Sequence, residues 1–158
     1  EGASPLSDDD GGRSLFSGVT MVPGDSGTRC IELTARSATP GEVRMFLTGA
    51  DDAQNALADH LLISVELGAG GTFASCDAFV ADPTGMIVPT QSLAVAAATF
   101  HDYGTGAGHW ATTGDAAGES RSYRLSWTFD TTGMSQADEN ALMGMSSGIG
   151  FQWEIQGD

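Results

Sequence analysis

Three histidines, two cysteines and a serine held in a tight turn are the side chains here whose types could support chemistry. Ser26 lies in Gly24-Asp25-Ser26-Gly27, the local setting of a nucleophilic serine that needs a histidine base oriented by a carboxylate. Proteases built on that motif place histidine and aspartate far upstream. Here His60, His101 and His109 all follow Ser26 and only 25 residues precede it, so the stretch reads as a turn. His101, Asp102 and His109 are the candidates for a metal site, close enough in sequence to converge on zinc. No His-Glu-x-x-His helix and no calcium-loop spacing, Asp8 to Gly12 included, accompanies them. Loop residues of this kind are more often solvated or hydrogen-bonded, and no metal, cofactor or catalytic residue is assigned.

The remaining motifs are weaker. Gly104-Thr105-Gly106-Ala107-Gly108 lacks the strand-to-helix context and the lysine of a phosphate cradle. With 21 acidic residues, a close carboxylate pair of the glycosidase kind is expected by chance. The aromatic residues fall mostly on inward strand positions and read as core; Tyr103 and Trp110 are the exceptions that a glycan-stacking surface would use. Cys30 and Cys76 are an even pair without metal-type spacing, which predicts a disulfide and an oxidising compartment, with two buried free thiols as the alternative. Closing a loop of about 46 residues restricts the unfolded chain by roughly 4 kcal/mol.

The elements that would position these residues announce themselves by a period of two. Ile31, Leu33 and Ala35 alternate with Cys30, Glu32 and Thr34; Val43, Met45 and Leu47 repeat the pattern after Pro40-Gly41. With Leu15 to Val22 before the Pro23-Gly24 turn, these runs predict a β-meander with one wet and one dry face. Asp51-Asp52 is placed to cap a short helix through Ala53, Leu57 and Leu61, which passes into a strand with Leu61, Ile63, Val65 and Leu67 inward. Phe73 to Val80 reads as a strand, Pro83-Thr84-Gly85 as a turn, and Leu93 to Phe100 as either helix or buried strand. The glycine-rich run Tyr103 to Gly118, holding His109 and Trp110, reads as loop. Tyr123, Leu125, Trp127 and Phe129, then Ile149, Phe151, Trp153 and Ile155, form two strong half-buried strands, with Ser135 to Met143 as a helical turn between them, Ser135 and Asp138 in capping-box positions. The sum is an all-β chain: a two-layer antiparallel β-sandwich with jelly-roll-like connections and one or two short helices in the connections.

At 158 residues the chain fits one domain, 14–158, preceded by a flexible acidic tail, 1–13, too poor in apolar surface to offset the entropy of ordering. Six arginines, no lysine and a net charge of −15 repel phosphate, which argues against nucleic acid and anionic membranes as partners. A start at Glu1 and no bilayer-spanning run read as a processed, secreted product, although a trimmed product of expression would look the same.

The order of several short motifs resembles the camelysin/TasA family of secreted bacterial proteins, in particular its two-cysteine actinobacterial members. These are Leu15-Phe16, Met21-x-Pro23-Gly24-Asp25-Ser26, Arg29-Cys30, Leu57-Ala58-Asp59-His60-Leu61 before Ile63-Ser64-Val65-Glu66, and Gly70-Gly71-x-Phe73-x-x-Cys76. Later come Leu93, Phe100-His101-Asp102, Trp110, Gly118-Glu119-Ser120-Arg121-Ser122-Tyr123-Arg124, Asp138-Glu139-Asn140 and Phe151-Gln152-Trp153-Glu154. The resemblance runs from about Leu15 to the C-terminus. It implies a jelly-roll subunit displayed outside the cell, and for TasA-like members biofilm-matrix fibres in which one subunit's N-terminal segment completes the next subunit's sheet. Camelysin itself is classed as a metallopeptidase, but this chain departs from any zinc-protease pattern. The expected function is therefore a secreted cell-surface or matrix structural protein whose partner is a further copy or a related surface protein, with Ser14 to Met21 as the arm and Leu15, Val19 and Met21 as its plugs. The same residues serving as the domain's own first strand is the alternative at that segment. A camelysin-like metallopeptidase and an extracellular module binding cell-wall glycan or a surface protein are the other functional readings.

Overall fold

A strand with one apolar row cannot stand alone in water, and two sheets of such strands are stable when their apolar faces meet. In the computed structural model, which describes residues 6–8, 24, 26–48, 57–137 and 150–157, that is the arrangement found. The strands are β1 Leu6–Asp8, β2 Ser26–Ala35, β3 Gly41–Thr48, β4 Leu61–Ala69, β5 Val80–Ser92, β6 Ala107–Thr112, β7 Glu119–Phe129 and β8 Gly150–Gly157. They form two antiparallel sheets, ordered β1-β2-β7-β4-β5 and β6-β3-β8. Two short helices, α1 Leu57–His60 and α2 Leu93–Thr99, and a 3₁₀ turn over Tyr103–Thr105 lie in the connections. The chain is an all-β sandwich.

The inward rows are the expected ones. Ile31, Leu33 and Ala35 of β2, Val43, Met45 and Leu47 of β3, Leu61, Ile63, Val65 and Leu67 of β4, and Tyr123, Leu125, Trp127 and Phe129 of β7 are all buried. β7 lies at the centre of its sheet, in register with β2 from Ser26↔Thr128 to Ala35↔Glu119 and with β4 from Leu61↔Phe129 to Gly68↔Ser122. Its Tyr123 is wholly enclosed and carries the core's main polar link: Trp110 Nε1 donates to Tyr123 Oη at 3.0 Å, which donates to Gly108 O at 3.1 Å. Burial pushes the Tyr123 phenol far up, so the hydroxyl remains a neutral donor and acceptor.

Several expectations are corrected. β2 and β3 do not form a meander: β2 pairs with β7, while β3 pairs with β6 and β8 in the facing sheet. Alternation fixes which side chains face inward but not which strand lies alongside, so the same pattern serves β2 and β3 in different layers. Three residues assigned to the flexible tail, Leu6–Asp8, pair with Leu33–Ala35 at the edge of β2, because main-chain hydrogen bonds along an open edge need no apolar run; Leu6 also packs on the core. The loop reading of Tyr103 to Gly118 gives way to β6, with Ala107, Trp110 and Thr112 buried. Gly108, at φ +67°, absorbs the irregularity that disguised this strand. Pro83-Thr84-Gly85 lies inside β5, not in a turn, since an edge strand tolerates proline. Leu93–Thr99 is helix, with Ser92 Oγ accepting from Val95 N at 3.1 Å as its N-cap. The run Leu15 to Val22, the Asp51-Asp52 cap and the helical turn after Gln136–Ala137 lie outside the described residues.

Residues 70–79 form a turn-rich flap rather than the expected strand. Cys30 stands in the outward row of β2 yet is fully buried, because Cys76 on the flap is bonded to it, with Cα atoms 5.4 Å apart. Phe73 and Phe79 are buried beneath the same flap; the Arg29 guanidinium lies 4.6 Å from the Phe73 ring centroid and that of Arg124 4.7 Å from Phe79. Ser122 Oγ donates to Gly71 O at 2.7 Å, and a Cβ on Gly71 would sit 3.0 Å from Cys30 Sγ. A second, smaller apolar layer thus lies outside the sandwich.

Two stability outcomes follow. Tyr123→Phe leaves the buried Trp110 N–H without its acceptor and lowers unfolding free energy in urea by about 1–3 kcal/mol, and the double variant with Trp110→Phe loses less than the sum of the two single losses. Replacing Cys30 and Cys76 together by serine lowers it by up to about 4 kcal/mol; a loss near zero would show that the bridge does not restrict the unfolded chain.

Candidate functional site

The imidazoles nominated from sequence are drawn to different partners. Asp102 opens the Tyr103–Thr105 turn, its Oδ1 accepting from Thr105 N at 2.8 Å and from Thr105 Oγ1 at 3.0 Å. His101 Nδ1 lies 3.3 Å from the other carboxylate oxygen of Asp102. His109 points elsewhere: Nε2 donates to Gly106 O at 2.7 Å, and Nδ1 faces Glu42 Oε2 at 3.9 Å. Among the described residues no group of three or more His, Cys, Asp or Glu side chains is arranged to hold a metal ion. Asp102 is occupied as a cap.

His109 belongs to a polar cluster on the outer face of the β6-β3-β8 sheet. Arg44 donates through Nε to Glu42 Oε1 at 2.8 Å and through Nη1 to Tyr103 O at 3.0 Å, and its guanidinium lies 4.6 Å from the Tyr103 ring centroid. Tyr103 Oη donates to Glu42 O at 2.7 Å. The cluster ties the connection after α2 to β3. Trp110, the other half of the suggested glycan platform, is only 8% exposed and is part of the core.

The feature that does present itself to a partner is a strand edge. Four strands end the two sheets: β1, β5, β6 and β8. β1 has three residues. β5 carries Pro83 and Pro89 and slips register against β4 at three places. β6 is short and shifts against β3 between Val43 and Met45. β8 has none of these guards: its eight residues pair with β3 without a break, from Gly41↔Gly157 to Thr48↔Gly150, and contain no proline or basic residue. Among the described residues β3 is the one strand paired with it, while β1 at the rim of the facing sheet comes close to it.

The inward row of β8, Phe151, Trp153 and Ile155, is only half-buried, unlike the corresponding rows of β2, β4 and β7. Behind it, between the sheets, an apolar cavity of about 10 Å³ is lined by Ile31, Met45, Val65, Leu125, Phe151 and Trp153, with Tyr123 and the aliphatic-to-charged Arg29 completing the wall. The Tyr123 and Trp153 rings meet there at 5.4 Å between centroids, tilted by 59°. Sequence periodicity finds this row but not its position at an edge; the missing guard residues, set against the two prolines of β5, are the signal that was there to read. The predicted assembly residues Leu15, Val19 and Met21 lie outside the described residues. The predicted Cys30–Cys76 bridge is formed.

Three carboxylates are held below their usual range by local hydrogen bonds: Asp102 by the Thr105 backbone, Glu119 by the Thr113 backbone, and Asp130 by the Thr132 side chain. Because their folded values are depressed, the stabilisation is present above about pH 4.5 and is lost as pH falls through the folded values. Urea midpoints measured between pH 7 and pH 2.5 should therefore fall less steeply for Glu119→Gln than for the parent chain. No family model and no curated protein matches this chain.

Proposed function

We propose that the chain is a secreted cell-surface or biofilm-matrix structural protein, a TasA-like subunit that assembles by strand addition. The observation that supports this reading is β8, a sheet edge that no other strand among the described residues pairs with and whose inner row is half-buried. An added strand would satisfy its outward main-chain groups and place apolar side chains over Phe151, Trp153 and Ile155; main-chain bonds supply affinity and alternate side chains choose register. The donor is the N-terminal segment Ser14 to Met21 of a neighbouring copy, with Leu15, Val19 and Met21 as plugs. A disulfide between Cys30 and Cys76 suits an oxidising, extracellular setting. No helix among the described residues is long and apolar enough to cross a membrane.

The net charge of −15 opposes association between copies at neutral pH and low salt. Fibres are expected in electron micrographs near pH 4–5, close to the sequence pI of about 4.1, or in salt, and sparse otherwise. Removing residues 1–21 abolishes them, and a peptide spanning residues 14–21 blocks them. Equal assembly by the truncated chain would overturn the donor assignment.

A further inference from the structure

We infer that two copies of this chain cap each other's β8 before any fibre forms, in a symmetric antiparallel pairing with its two-fold axis through Trp153. The inference rests on β8 being the acceptor edge and concerns what regulates it. Side chains alternate along a strand, so two β8 edges keep their apolar rows on one face only when the axis passes through a residue rather than between two. An axis through Glu154 would set that carboxylate against its own copy. Axes through Gln152 or Ile155 leave fewer of the eight residues paired. Through Trp153, Phe151 faces Ile155 of the second copy, Trp153 faces Trp153, and Gln152 faces Glu154, an amide against a carboxylate with no like-charge pair.

Glu154 already accepts from Gln156 Nε2 at 2.7 Å along its own strand, so an amide donor opposite it extends a pattern the carboxylate supports. The result joins two three-stranded sheets into one of six and covers the half-buried inner row on both copies. A subunit held this way has no acceptor edge to offer. Release of the pair, not folding, then sets when assembly starts.

Two exposed-side substitutions, Gln152→Cys and Glu154→Cys, read the register directly, since the native cysteines are bonded to each other. Directly opposite positions in an antiparallel pair lie close enough for a disulfide, while neighbours two apart on one strand do not. Under mild oxidation a cross-linked dimer is expected only when the two single variants of the otherwise intact chain are mixed, and that locked dimer should form no fibres under conditions where each variant alone does. Cross-linking of Glu154→Cys by itself, no cross-link in the mixture, or fibres from the locked dimer would overturn the inference. If neither variant alone forms fibres but the mixture cross-links, strand addition fails as the function while the capped pair stands.

Discussion

The structure depends on burial of the β7 row against the facing sheet. Tyr123, Leu125, Trp127 and Phe129 sit between β2 and β4 in their own layer and look across at Val43, Met45 and Leu47. Each fully buried apolar side chain contributes about 1.5–3 kcal/mol, so this single row outweighs any polar contact in the molecule. The Trp110–Tyr123–Gly108 relay adds little net energy by comparison but fixes which way the rings turn, since a buried donor left unmet is costly. Outside that core the two sheets differ: one carries a disulfide-held flap with its own small apolar layer, the other a polar Arg44–Glu42–Tyr103 cluster.

Alternation made the sandwich and its inward residues legible from sequence, because a period of two is written into side-chain identity. Which strand pairs with which is not written there, and the meander reading of β2 and β3 failed for that reason. Glycine misled at Gly104 to Gly118: its abundance suggests a loop, whereas Gly108 makes room for a bend within a strand whose Trp110 is core. Proline misled at Pro83, where an edge position removes the penalty that would apply in a central strand. The disulfide followed from counting cysteines, but the burial of Cys30 on a nominally wet face depends on a flap that no periodicity encodes.

The candidate site was only half legible. Sequence marked Phe151, Trp153 and Ile155 as an apolar row, and it marked His101, Asp102 and His109 as potential ligands. Proximity along the chain failed for the second set because the turn at Tyr103–Thr105 consumes Asp102 and sends His109 toward Glu42. Alternation did not mark the first set as an edge, a property of the finished sheet order; the lack of proline and basic residues over 150–157 was its one written sign.

The prolines within β5 have a consequence for association. Pro83 and Pro89 take two N–H groups out of the rim strand of the larger sheet, and residues 70–79 roof part of the outer face of β2, β7 and β4. A foreign strand laid along β5 would meet gaps in its ladder at both prolines, which makes that rim a poor template for main-chain zipping.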